Sequence, residues 1–344
     1  MRLSLQTTAG LLRLSRQYSQ GLCKPSATFE KLHMEELYAA MRNDLASSFE
    51  TLTTINEYYL DGKGKATRPQ LVYTLAQCAN QASFVTSSQM ICVRVAELLH
   101  TASLIHDDLI DKAGIRRGKK VVGQMYGERM SVFASNFIVA TSSKMLAQLN
   151  EMPVVTLFSR IVEDLVSGEF MQLRTKQLSK ERFPHYIERI FKKTASLMAH
   201  SCEAVVYLSP NSTPVLRQKA FEFGRNFGIA FQLQDDILDF VSNTSTLGKP
   251  TTIDLRLGLA TAPVLFAAQT EPHLDQLISR RFSKVGDVET ALNLVNKSDG
   301  VAQAAQLATN YAQRALNVLT QTFHDTPARI HLENLLEFVI DRKF

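Results

Sequence analysis

Two runs of aspartate carry the clearest chemistry in this sequence: Asp107-Asp108-Leu109-Ile110-Asp111 and Asp235-Asp236-Ile237-Leu238-Asp239. Each ends a mainly apolar stretch, from Leu98 in the first case and from Phe227 in the second. Residues four apart share a helix face, so Asp107 with Asp111, and Asp235 with Asp239, set paired carboxylates one turn apart. Such pairs repel each other unless a cation lies between them. A single cluster would read as a solvated helix end. With Asp at about one residue in sixteen, the pattern arises roughly once per 4,000 positions. Two copies in 344 residues therefore call for a cause other than composition.

Carboxylate oxygens without Cys or His select a hard cation, Mg2+ or Ca2+, and neither run has the alternating ligands and glycine of a calcium loop. Mg2+ keeps waters and fills its shell with phosphate oxygens. The expected ligand is thus a diphosphate clamped between two acid clusters. Cations stand where such a group would need them. Lys65 and Arg68 lie three apart, just before an expected helix N-terminus, which favours anions. Arg116-Arg117 follow the first cluster by one short turn, and Lys193-Thr194 and Gly248-Lys249 come later. The stretch Gly62-Lys63-Gly64-Lys65 lacks the GxxxxGK[ST] spacing of a nucleotide-binding loop.

The elements that hold these residues read as helices. Apolar residues recur at helical spacing in Leu32, Leu37, Met41 and Leu45, in Leu71, Leu75 and Cys78, and in Ile91, Val95, Leu98, Leu99 and Ala102. Alternating strand patterns are scarce. No proline falls between 70 and 152, which permits long helices, and the prolines elsewhere are expected at helix starts or connections. With neither a fixed-period repeat nor a low-complexity linker, one large all-α domain is expected over 29–344.

Composition is that of a globular protein, 45% hydrophobic and 21% charged, and no apolar run is long enough for a membrane span. The net charge of +5 owes +4 to Arg2, Arg13, Arg16 and Lys24 in an acid-free first 29 residues, so the rest is near neutral and does not suggest nucleic acid. That stretch, rich in Arg, Ser and Leu, reads as a mitochondrial transit peptide over 1–28, with a cleavage-like site at Arg16-Gln17-Tyr18-Ser19. The cysteines, at 23, 78, 92 and 202, show no metal or disulfide spacing and are expected as free thiols.

In this order and spacing, GKGKATRP, ELLHTASLIHDDLIDKAGIRRG, FKKTAS, GIAFQLQDDILDF and LGKP resemble the trans-isoprenyl (polyprenyl) diphosphate synthase family across nearly the whole chain beyond the leader. The segments GEFMQL, ERFPHYIERIFKKTASLMAHSCEAV and DLRLGLATAPVLFA look closest to its mitochondrial long-chain members, which supply the ubiquinone side chain. The resemblance implies one helical bundle of the isoprenoid synthase type with a deep central cavity. It implies repeated condensation of isopentenyl diphosphate onto an allylic primer such as farnesyl or geranylgeranyl diphosphate. Asp107, Asp111 and Asp235 would hold about three Mg2+ ions on the allylic diphosphate, with Asp108, Asp236 and Asp239 supporting. Arg116, Lys193 and Lys249 would contact that diphosphate, and Thr194 and Gln232 would line the reacting region. Lys65, Arg68, His100 and Arg117 would hold isopentenyl diphosphate. Partners implied are a second copy, or a second synthase subunit in a heterotetramer, in the mitochondrial matrix and at most peripherally at the inner membrane.

Product length is expected to be set on the helix before Asp107, by Ala102, Ser103 and Leu99. One turn of about 5.4 Å roughly matches one isoprene unit. Short-chain members resemble one another in carrying a bulky aromatic where this chain has Ala102, so its small side chain is expected to leave a tunnel open. Two departures from the family stand out: Leu259 replaces a lysine that many members carry after Gly258, and Ser135-Asn136 replaces a Gly-Asp pair. The alternative readings are a non-catalytic partner subunit, disfavoured by the intact aspartates, and a geranylgeranyl diphosphate synthase, disfavoured by Ala102.

Overall fold

The computed structural model describes residues 27–61, 64–81, 84–116, 118–173, 179–241 and 252–341. Expectations for Arg117, Lys249 and the leader up to residue 26 fall outside these. The chain is a helical bundle: α1 Ala27–Asp44, α2 Glu50–Tyr59, α3 Thr67–Asn80, α4 Ser87–Ile110, α5 Val122–Tyr126, α6 Glu128–Gln148, α7 Met152–Gln172, α8 Ser179–Ile190, α9 Ser196–Tyr207, α10 Pro214–Val241, α11 Ile253–Arg256, α12 Ala262–Ala267, α13 His273–Ser279, α14 Asp287–Lys297, α15 Gly300–Thr322 and α16 Pro327–Ile340. A two-residue hairpin, β1 Ile115–Arg116 against β2 Lys119–Lys120, pairs Arg116 with Lys119. It was not expected, because two residues are too few to show an alternating pattern.

Three large apolar clusters fill the bundle, with a smaller fourth around Ile55, Val122 and Ala134. One joins α1, α3, α4, α6, α7 and α9, another joins α3, α9, α10, α15 and α16, and a third joins α8 and α10 to α12 through α15. The cysteines at 78, 92 and 202 are buried and free, as expected. Among the described residues no helix is long and apolar enough to cross a membrane. Prolines 153, 214, 263 and 327 stand in first turns, where their missing N–H leaves no helical bond unmade. Pro184 is a correction to that rule, lying inside α8. It is exposed, and so is Lys180, whose freed carbonyl can be solvated.

The central crossing fixes the site. Gly224 and Gly228 of α10 lie on one face, and a Cβ on Gly228 would come within 2.5 Å of the Ala195 Cα, one on Gly224 within 2.7 Å of the Met198 oxygen. Backbone therefore packs on backbone. Between α8 and α9 the helix widens into one π turn, Phe191–Ala195, which α7 approaches closely at Gly168. A π turn rotates the residues beyond it and is common at functional sites.

Candidate active site

Both aspartate clusters occupy the C-terminal ends of buried helices. The apolar run through α4 begins at a Thr86–Gln89 capping box and stops at Asp111, the C-cap, with no basic residue in the last turn. The second cluster closes α10, again without a basic residue in the last turn. Carboxylates here face the negative end of the helix dipole, the least favourable place for them without a cation.

The first cluster divides its work. Asp108 is buried and bonded: its two oxygens accept from the Arg116 Nε at 2.6 Å and from the Tyr59 hydroxyl at 2.8 Å. Its position is therefore that of an anchor for Arg116, not of a free ligand. Burial pushes the Asp107 carboxyl up to about 7, opposed by Lys193 and reinforced by Glu169 and Asp111. Asp111 is raised by the same burial, again opposed by Lys193.

In the second cluster, Asp236 is held from two sides, by the Tyr186 hydroxyl and the Gln232 amide, each at 2.7 Å. Gln232 in turn accepts from the Thr194 hydroxyl at 2.7 Å. One hydrogen-bonded chain thus ties the π turn to α10, and it joins Thr194 to Gln232 as the motif reading grouped them. Burial raises Asp236 to about 6 despite these donors and nearby Arg189, with Asp235 adding to the rise. Asp239 accepts from the amides of Ile253 at 3.1 Å and Asp254 at 3.2 Å, so it caps α11 while burial raises it. Asp254, half-buried near Asp236 and Asp239, is raised well above the ordinary carboxylate range, chiefly by desolvation.

Lys193 links the two sides. It pairs with Glu169 and donates to the Gln172 amide oxygen at 2.9 Å. Its charge also stabilises the ionised forms of Asp107 and Asp111 on one side and of Asp254 on the other. Lys193 thus acts on the first cluster, and its neighbour Thr194 reaches Asp236 of the second through Gln232. Among the described residues no three acid, histidine or cysteine side chains gather into a metal site on their own. Carboxylates arranged singly and in pairs suit an ion that takes its remaining oxygens from water and substrate.

Further down α4, Arg68 Nη1 meets His100 Nε2 at 3.0 Å and stacks 5.4 Å over Phe231, which brings together two residues matched separately by motif. Lys65 is exposed, its ammonium 5.5 Å over Phe338 of α16. From Val95 to Ile105 only His100, Ser103 and Leu104 keep partial exposure. With Asp107 and Asp111 they form one stripe at three- and four-residue spacing. Ala102 does not belong to it. It is 2% exposed, Leu99 is 3%, and the Ala102 carbonyl accepts from Ser135 of α6 at 3.1 Å. The small accessible side chain below Asp107 is thus Ser103, whose hydroxyl bonds back to the His100 carbonyl at 2.9 Å. The departure at Ser135 gains a physical account in that interhelical bond; Asn136 has none.

Motif reading assigned no role to Tyr59, Glu169, Gln172, Tyr186, Arg189 or Asp254. Several lie in matched segments, as Glu169 and Gln172 do in GEFMQL and Asp254 in DLRLGL. That adjacency was the only signal.

Comparison with known proteins fits this geometry. The polyprenyl synthetase family model matches residues 49–295. The chain is 45% identical over 313 residues to the human (Homo sapiens) all trans-polyprenyl-diphosphate synthase PDSS1, covering 90% of this chain and 75% of that one. It is 37% identical to decaprenyl-diphosphate synthase subunit 1 of Schizosaccharomyces pombe, covering 91% and 90%. Its fold superposes with a TM-score of 0.80 on a polyprenyl synthase from Caulobacter crescentus solved with calcium and isoprenyl diphosphate, at 28% identity over 93% of this chain and 99% of that one. Helical bundle, twin acid clusters and matched span together place the chain in the polyprenyl synthetase family, as a trans-prenyltransferase that synthesises all-trans polyprenyl diphosphates.

Proposed function

We propose that this chain is the catalytic subunit that elongates a farnesyl or geranylgeranyl diphosphate primer by repeated addition of isopentenyl diphosphate, giving the long side chain of ubiquinone. The observation that carries this reading is that both aspartate clusters close long helices at ends without a basic residue, and that adjacent residues of the π turn reach both, Lys193 acting on Asp107 and Asp111 and Thr194 bonding through Gln232 to Asp236. Asp107, Asp111 and Asp235 would hold Mg2+, about three ions as in metal-clamped diphosphate chemistry. Bound there, Mg2+ supplies Lewis-acid stabilisation of the leaving diphosphate.

This chain's residues do the rest. Arg116, fixed by Asp108, and Lys193, fixed by Glu169 and Gln172, present positive charge to the allylic diphosphate. As the allylic C–O bond breaks, its electron pair leaves with the diphosphate. The Thr194 and Gln232 oxygens face the cationic carbon with fixed dipoles, while the apolar runs of α4 and α10 exclude water. Arg68, His100 and Lys65 hold isopentenyl diphosphate so that its double bond forms the new C–C bond. The proton then lost from the isopentenyl carbon goes to the departed diphosphate, and no side-chain nucleophile is needed.

Residues 1–28 act as a mitochondrial leader and 29–344 as the synthase domain, working in the matrix. Exposed Phe133 on α6 and exposed Val166 and Phe170 on α7 offer apolar surface for a second copy or a second subunit. The test is to incubate the purified chain, alone and with a candidate partner, with farnesyl diphosphate, labelled isopentenyl diphosphate and Mg2+ or EDTA, and to size the products. Mg2+-dependent long polyprenyl products support the reading. No elongation under any combination, by a chain that is folded, overturns it.

A further inference from the structure

Arg189, in the last turn of α8, is a cation the foregoing reaction does not use. It is 8% exposed. It makes no side-chain hydrogen bond or ion pair with any described residue; its guanidinium lies 5.5 Å from the ring of Tyr186 and feels the charges of Asp236 and Asp254 at longer range. A guanidinium carries five donors, and those of Arg189 are left to the cleft that it lines.

The space it borders is an open cleft lined also by Gln172, Tyr186, Gly258 and Leu259. Two of these walls are shared with the acid site, since Gln172 receives Lys193 and Tyr186 donates to Asp236. Arg182, also on this cleft, is engaged by Asp275 and Ser279, which leaves Arg189 as the arginine whose donors are uncommitted. Leu259 faces the same cleft where a lysine would add positive charge. Arg189 also lies close enough to Asp236 and Asp254 to favour their ionised forms. A planar guanidinium at such a point fits a phosphate group by paired hydrogen bonds.

We propose that Arg189 is a substrate-binding residue whose guanidinium grips the diphosphate of the allylic substrate, and the inorganic diphosphate released from it, from the side where Leu259 contributes no charge. This rests on the reading that the diphosphate lies between the two acid clusters.

Inorganic diphosphate, used as an inhibitor competing with the allylic primer in the presence of Mg2+, tests it. Arg189→Gln is expected to raise both the inhibition constant for inorganic diphosphate and the KM for farnesyl diphosphate by about tenfold to a hundredfold, the value of a charged hydrogen bond. The KM for isopentenyl diphosphate stays the same. Adding Leu259→Lys to Arg189→Gln recovers most of the loss, and Leu259→Lys alone tightens inhibition, which keeps the test alive if Arg189→Gln does not fold. Unchanged inhibition in Arg189→Gln, equal changes in both KM values, or no effect of Leu259→Lys in either background overturns the proposal. Asp235→Asn separates the two levels. If it still elongates, the wider reading fails; if it is inactive while Arg189→Gln is inhibited like the parent enzyme, only the role of Arg189 falls.

Discussion

Replacing Ser103 by phenylalanine should shorten the product, whereas the same change one residue earlier should mainly cost stability. Ser103 lies four residues before Asp107, about 6 Å down the helix, and His100 about 10.5 Å down. With Leu104, these are the residues between Val95 and Ile105 that keep partial exposure. A growing chain must descend along this stripe, about one isoprene unit per turn. A ring at 103 fills the first turn, so a two-unit primer can add one or two units and then stop, giving products of about three or four units by the same turn-to-unit match. Each unit denied the cavity forfeits about 4 kcal/mol of apolar burial, at about 0.8 kcal/mol per CH2-sized group, which also speeds release of the short product. Ala102→Phe instead forces a ring into a packed layer at 2% exposure beside the Ser135 bond, an overpacking that costs about 1–3 kcal/mol.

The assay is chromatography of dephosphorylated products from farnesyl and geranyl primers, run beside thermal melts of both variants. Ser103→Phe should give short products at nearly unchanged Tm, and Ala102→Phe a lowered Tm. Products of parental length from a folded Ser103→Phe enzyme would refute the stripe as the path of the chain.

Tyr186→Phe removes a donor from the buried Asp236 and should cost about 1.5–3 kcal/mol in chemical denaturation, as expected for a hydrogen bond to a charged group; a loss below a few tenths would show that Asp236 does not depend on it. Gly228→Ala places a methyl 2.5 Å from Ala195 Cα and should push α10 from the π turn, lowering Tm and slowing elongation together; an unaffected enzyme would contradict the backbone-to-backbone crossing. Asp287, held down at about 2 by its paired bonds to Arg280, has a folded pKa below the ordinary carboxylate value near about 3.9. Its contribution is present above that value and fades as pH falls towards 2, so Asp287→Asn should flatten the acid side of the stability curve in melts between about pH 4 and 2; parallel curves would exclude it.

Much of this architecture was legible in the sequence because its signals are local. Helical periodicity in 91–102 and the four-residue acid spacing depend on neighbours a turn or two apart, and those survive in α4 and α10. Where function depends on approach between distant segments, the sequence was silent. The π turn at Phe191–Ala195 is met closely by Gly168 of α7 and Gly228 of α10, an approach that no local pattern encodes. Asp108 and Asp107 are adjacent and identical in type, yet Tyr59 and Arg116 turn one into an anchor while the other faces Lys193. Ala102 and Ser103 are both small, and only the packing of α6 against α4 decides which is accessible.

Calorimetric titration of inorganic diphosphate into the folded enzyme, with and without Mg2+, in the parent chain and in Asp107→Asn/Asp235→Asn, bears most directly on the account. Tight binding should require Mg2+ and vanish in the double variant while its melting curve is retained. Binding of equal strength without Mg2+, or undiminished binding in the double variant, would contradict the claim that the opposed carboxylates hold the leaving group through metal.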